Sequence, residues 1–133
     1  MSAKTRFLNP ETLTKPPAYS QVVEVTTPGR MVFISGQIGV GRDGKLVPGD
    51  FRAQAMQTFE NLKTALAAVG ARFEHVVKLN NYLVELEHQA ILRDVRGLYL
   101  NMAAPPANTN VRVVGFARAG MLLEVEAIAV LPD

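Results

Sequence analysis

An α+β layer, one sheet with both helices on a single face, is predicted by three observations. Two stretches place apolar residues at three-and-four spacing, which makes one buried stripe on a helix. The other apolar segments alternate with period two, as strands do. The closing stretch, residues 121–131, has one wholly apolar strand face (Leu123, Val125, Ala127, Ala129, Leu131), small enough for a helix to approach closely. Its other face carries Leu122, Glu124, Glu126, Ile128 and Val130, so both carboxylates look the same way. A glutamate among Val, Ala and Ile on a central strand is costly to bury without a partner. That face reads as the working surface; a solvated edge strand is the alternative.

In chain order, residues 5–8 form a short strand broken by Asn9-Pro10. Residues 20–26 are rich in β-formers and end at Pro28-Gly29, a turn signal, so residues 30–38 read as the second arm of a hairpin. The faces of that arm separate into Val32, Ile34, Gly36, Ile38 and Phe33, Ser35, Gln37. Gly39-Val40-Gly41-Arg42-Asp43-Gly44 spells G-x-G-x-x-G after a strand. A dinucleotide site needs its third glycine to open a helix, and here Lys45-Leu46-Val47-Pro48-Gly49 intervenes, so these are turn glycines. Asp50 is placed as N-cap of a helix from Phe51 to about Val69, with Gly70 just beyond its end. Residues 76–84 return to period two, with Val77, Leu79, Asn81 and Leu83 on one face and Val76, Lys78, Asn80, Tyr82 and Val84 on the other. A second helix covers roughly residues 88–101, closed by Pro105-Pro106, and residues 109–116 form a strand before the closing one.

One domain spanning residues 1–133 is the expectation for this length. A hydrophobic content of 48% with 20% charged residues is ordinary for a soluble globular protein. No cysteine is present, which removes thiolate chemistry and disulfides and suits a reducing, cytoplasmic setting. A net charge of +2 without a basic block gives no electrostatic case for nucleic acid, and no apolar run is long enough to span a bilayer. His75 and His88 are separated by a whole strand, and no metal spacing is visible. The open sheet face would interleave polar with large apolar residues, which suits burial in a symmetric oligomer with pockets at its seams.

Six stretches in order resemble the reactive intermediate deaminase (Rid, or YjgF) family. They are Pro17-Ala18-Tyr19-Ser20-Gln21, Ile34-Ser35-Gly36-Gln37-Ile38, Gln57-Thr58-Phe59-Glu60-Asn61-Leu62, Val76-Val77-Lys78, Pro105-Pro106-Ala107 and residues 124–130. The resemblance implies a chorismate-mutase-like α+β fold with one mixed sheet, a homotrimer with clefts between subunits, and hydrolysis of reactive enamines and imines to a ketone and ammonia. It implies no metal or organic cofactor. One landmark departs: the family's deaminating members carry an arginine for the substrate carboxylate where this chain has Asn108. An amide grips a carboxylate more weakly than a bidentate guanidinium does. Arg112 shares the strand parity of Asn108, but four residues along a strand is about 13 Å. Arg96, on the second helix, is the other candidate.

Imine hydrolysis needs a positioned water, a carboxylate to deprotonate it, and donors that hold the substrate. Glu126 matches the family's water-associated glutamate. Tyr19, Ser35, Asn108, Thr109 and Arg96 are the candidate substrate-binding residues, and Lys78 a possible partner for Glu124. The partners expected are further copies of the chain and a small imine, enamine or other metabolite, with neither nucleic acid nor membrane. The alternative is a non-catalytic trimer that binds a small metabolite; an endoribonuclease gains no support without a basic groove or stacking aromatics.

Overall fold

A computed structural model describes residues 4–16, 18–26 and 29–132; Pro17 of the first family landmark and Pro28 of the expected turn lie outside the described residues. Strands β1 (Thr5–Leu8) and β2 (Val22–Val25) pair antiparallel, with Thr5 opposite Val25. Strands β3 (Arg30–Gln37), β4 (Val76–Leu83), β5 (Ala107–Arg112) and β6 (Leu123–Leu131) form a second, mixed sheet in the order β3-β6-β4-β5. Only β4 and β5 run parallel.

Two expectations are corrected here. There are two sheets rather than one, and the arms of the expected hairpin are not paired with each other. A Pro-Gly turn favours geometry that splays its strands instead of the primed turns that close hairpins. The partner β3 takes instead is β6, in register from Arg30 opposite Leu131 to Ile34 opposite Ala127. Strand β2 offers only four residues, with Val22 and Val25 exposed, and is satisfied by β1.

Helix α1 (Phe51–Ala67) starts as expected: the Asp50 side chain accepts the Ala53 N–H at 3.1 Å. It stops two residues early, and Gly70 at φ +76° completes the turn that follows. Helix α2 (Gln89–Tyr99) is entered through a 3₁₀ turn at Leu86–His88. Both helices pack on one face of the four-stranded sheet. Phe59, Leu62 and Leu66 of α1 and Leu92 and Val95 of α2 are buried with Leu79, Leu83, Leu123, Val125 and Ala129. The apolar side of β6 is therefore the floor of the core, as its alternation predicts.

The glycine-rich segment is a tight turn, Gly44 N–H donating to the Gly41 carbonyl at 2.9 Å. It is held down by Asn61 of α1, whose Nδ2 donates to the Ile38 and Val40 carbonyls, each at 2.9 Å. Gln54, buried on the same helix, donates to the Gly120 carbonyl (2.8 Å) and accepts from Leu122 N–H (2.9 Å), which aligns the start of β6. A Cβ at Gly39 would lie 2.8 Å from Gln54 Cα, so only glycine lets this loop approach the helix so closely.

Candidate functional site

The open face of the four-stranded sheet is built by register. Asn80 lies between Thr109 of β5 and Glu126 of β6, and Tyr82 between Val111 and Glu124. In β3 the pairing slips between Ile34, opposite Ala127, and Gln37, opposite Val125. Two residues, Ser35 and Gly36, thus span Glu126, as in a β-bulge. The bulge corrects the expected faces: Gly36 leaves the side of Val32 and Ile34, and Gln37 no longer follows Ser35. Thr109, Asn80, Glu126 and Ser35 form one polar row across all four strands.

Within that row Glu126 is held firmly. Its Oε1 accepts from the Tyr82 hydroxyl at 2.7 Å and from Asn80 Nδ2 at 3.1 Å. The hydrogen bond to Glu126, then burial, then the charges of Glu126 and Glu124, raise the Tyr82 phenol above its ordinary value, so it stays a donor. Ser35, Asn80 and Glu126 line a pocket of about 300 Å³ whose wall includes Phe33, 70% exposed. Tyr82, Glu124, Glu126 and Phe116 line a neighbouring one of about 310 Å³. Lys78 does not reach Glu124; it donates to Thr109 Oγ1 at 2.8 Å.

The other candidates lie elsewhere. Asn108 pairs with core-facing Leu79, whereas Thr109 pairs with Asn80, so Asn108 belongs to the helix side of the sheet. There it sits in an amide cluster: Asn81 Nδ2 donates to Asn108 Oδ1 (2.6 Å) and Asn110 Oδ1 (2.9 Å), and Asn110 donates to Gln89 of α2 (3.2 Å). Beside the cluster a pocket of about 270 Å³ is lined by Tyr19, Arg93, Arg96, Asn108 and Asn110. Its Tyr19 wall is fixed from two sides. Arg96 Nη2 donates to the Ala18 carbonyl at 2.9 Å, and the Ser20 hydroxyl donates to the Pro105 carbonyl at 2.6 Å. Arg96 is 3% exposed; burial, with the nearby Arg93 charge, lowers it to about 10, and it remains a cation at neutral pH.

The sequence-predicted set therefore splits within the chain. Glu126, Ser35 and Thr109 share the open face; Tyr19, Asn108 and Arg96 share the edge pocket. Arg112 is exposed and donates to the Val84 carbonyl at 3.2 Å. Sequence reasoning missed Asn80 and Tyr82 as the holders of Glu126, although the period-two reading of residues 76–84 placed both on one face. It also missed Asn81, fully buried at the centre of the amide cluster. His88 stacks on Phe51 with ring centroids 4.3 Å apart. Among the described residues no group of three His, Asp or Glu side chains is placed to hold a metal, and no helix is long and apolar enough to cross a membrane.

These features define a small α+β protein with a mixed sheet, one helical layer, and a polar cluster on either side of the sheet. The chain belongs to the YjgF/Rid family, whose model, described as Endoribonuclease L-PSP, matches residues 12–131. It is 43% identical over 113 residues to the protein DfrA of Myxococcus xanthus, covering 84% of each chain. It is 34% identical over 116 residues to a 2-iminobutanoate/2-iminopropanoate deaminase of Dermatophagoides farinae, covering 85% of each. Among solved structures it resembles YyfB of Yersinia pestis, a conserved Rid-family protein of unknown function. The TM-score is 0.87 at 36% identity, over 96% of this chain and 98% of that one.

Proposed function

We propose that this protein hydrolyses a reactive enamine or imine to a ketone and ammonia, in clefts between the subunits of a chorismate-mutase-like homotrimer. The observation that carries this reading is the Glu126 carboxylate fixed by Tyr82 and Asn80 over a small pocket on the open sheet face. The named activity of the Dermatophagoides farinae relative supports it. So does the composition of that face, where Phe33 (70%), Met31 (62%) and Val111 (40%) are exposed in the single chain. A large apolar patch rimmed by polar groups marks a contact surface. Packing it against further copies brings the Glu126 half-site of one subunit to the Tyr19–Asn108 edge of another.

The chemistry follows from the fixed carboxylate. Both donors reach Oε1, so Oε2 is left to take a proton from water. As water oxygen bonds to the imine carbon, the C=N π pair moves to nitrogen and Glu126 accepts the water proton. Returning that proton to nitrogen gives the carbinolamine. Its hydroxyl proton then passes through Glu126 to the amine nitrogen. An oxygen pair forms the C=O as the C–N pair leaves with nitrogen, and ammonia and the ketone are released. General-base catalysis of this kind contributes about 10²- to 10⁴-fold.

Asn108 stands where the family's deaminating members carry an arginine, so the substrate need not be a 2-imino acid held from β5. The test is ammonia release from imines generated in situ by an amino-acid oxidase or a lyase. Glu126→Gln is expected to lose about 10²-fold or more while remaining folded. Release no faster than in buffer, for imines with and without a carboxylate, would defeat the reading. A compound that stabilises the trimer thermally and is recovered unchanged would favour the binding-only alternative.

A further inference from the structure

We infer that the edge pocket is an anion site, and that Arg96 of α2 is the residue that recognises a carboxylate there in place of a cation on β5. The pocket is lined by Tyr19, Gln89, Arg93, Arg96, Asn108 and Asn110, with no carboxylate among its walls. Arg96 is 3% exposed, yet no salt bridge among the described residues includes it. Its Nη2 is used on a neutral carbonyl, that of Ala18, while its Nε is buried with no acceptor. A buried cation without a counter-charge is costly, and a buried N–H without an acceptor adds to that cost. An anion in the pocket supplies the missing counter-charge. A guanidinium offers parallel donors that match a carboxylate.

Two neighbours give the pocket its character. Arg93 lies three residues earlier on α2, on the same side of the helix, and is exposed enough to swing onto a ligand. The amides of Asn108 and Asn110 are already engaged with Asn81 and Gln89, so they serve as a neutral, shaped wall. The pocket's volume of about 270 Å³ suits a small acid of a few carbons. That this acid is an imine substrate or its ketone product rests on the proposed function; that an anion binds does not.

The experiment is calorimetric titration of the full-length protein with pyruvate, a stable 2-oxo acid, and with methyl pyruvate, its neutral ester. Wild-type protein is expected to bind pyruvate at least about tenfold more tightly than the ester, and Arg96→Met to weaken pyruvate about ten- to hundredfold and erase the preference. Arg112→Met is expected to change neither. Should Arg96→Met fail to fold, Arg96→Lys keeps the charge but loses the planar fork, and a pyruvate-soaked crystal of the wild type shows directly whether the carboxylate lies against the Arg96 guanidinium. Equal binding of acid and ester, an unchanged preference in a folded Arg96 variant, or a carboxylate seated on Arg112 would overturn the inference. Glu126→Gln separates the two claims: it is expected to keep pyruvate binding while losing ammonia release. Wild-type protein that binds pyruvate through Arg96 but releases no ammonia refutes the hydrolase reading alone.

Discussion

Gly36 and Glu124 share one volume across neighbouring strands: a Cβ at Gly36 would lie 2.0 Å from Glu124 Oε2 and 2.7 Å from its Cγ. The bulge in β3 turns Gly36 to the open face, and the missing side chain is where the glutamate lies.

Gly36→Ala is therefore expected to push Glu124 off its seat and to cost about 1–3 kcal/mol, the range for overpacking. The double variant Gly36→Ala/Glu124→Ala should recover most of that loss. Urea denaturation of the four members of the cycle measures the coupling. Additive effects would show that the two residues do not compete.

On the same face, Tyr82 reports on Glu126. Its phenol is raised first by the hydrogen bond to that carboxylate, then by burial, then by the two glutamate charges. Glu126→Gln should bring it back toward 10.0, seen as tyrosinate absorbance appearing at lower pH, with Tyr82→Phe identifying the signal. A titration unmoved by Glu126→Gln would contradict the 2.7 Å contact.

Tyr99 supplies a pH dependence of stability. Burial, then its hydrogen bond to Glu60 at 2.7 Å and the charge of that residue, raise its phenol from 10.0 to about 12. The native state keeps a proton that the unfolded chain releases. This contribution is complete below pH 10 and is lost as pH rises toward about 12. Wild-type stability should fall more steeply than that of Tyr99→Phe over this window, and parallel pH profiles would disprove the coupling.

Two substitutions on α1 rank a buried clamp against an exposed cap. Asp50→Ala removes one N-cap bond at the surface and should cost about 1 kcal/mol. Gln54→Ala removes the buried amide that holds both the Gly120 carbonyl and the half-buried Leu122 N–H, at about 1–3 kcal/mol if the N–H is left unpaired. Chemical denaturation should find Gln54→Ala the more damaging; the reverse order would mean that water replaces the clamp.

Assembly is tested by Phe33→Asp, which places a charge in the exposed apolar patch beside Ile128 and Ser35. The wild type is expected to sediment with the mass of three chains and the variant as a single one. A wild type that sediments as one chain at micromolar concentration would remove the clefts on which the proposed function depends.

The sequence by itself determined most of the elements and the buried faces of the two helices and β6, because period and capping are local properties. Thr5–Leu8 as a strand, Asp50 as an N-cap and the two-sidedness of β6 were all legible from neighbours a few residues apart. It also placed Lys78, Asn80 and Tyr82 on one side of β4, which is half of the Glu126 site. What pairs with what was decided only by the tertiary structure. Strand β2 takes β1 while β3 takes β6, since ladder partners are chosen by competing long-range contacts that no local pattern records. The slip at Ser35 and Gly36 exchanged the faces of β3 through one extra residue, and alternation alone cannot reveal such an insertion. Whether Arg96 faced solvent or a pocket likewise depended on how α2 packs against Ala18 and the amides of β5. The isolation of a buried charge depends on every element around it at once.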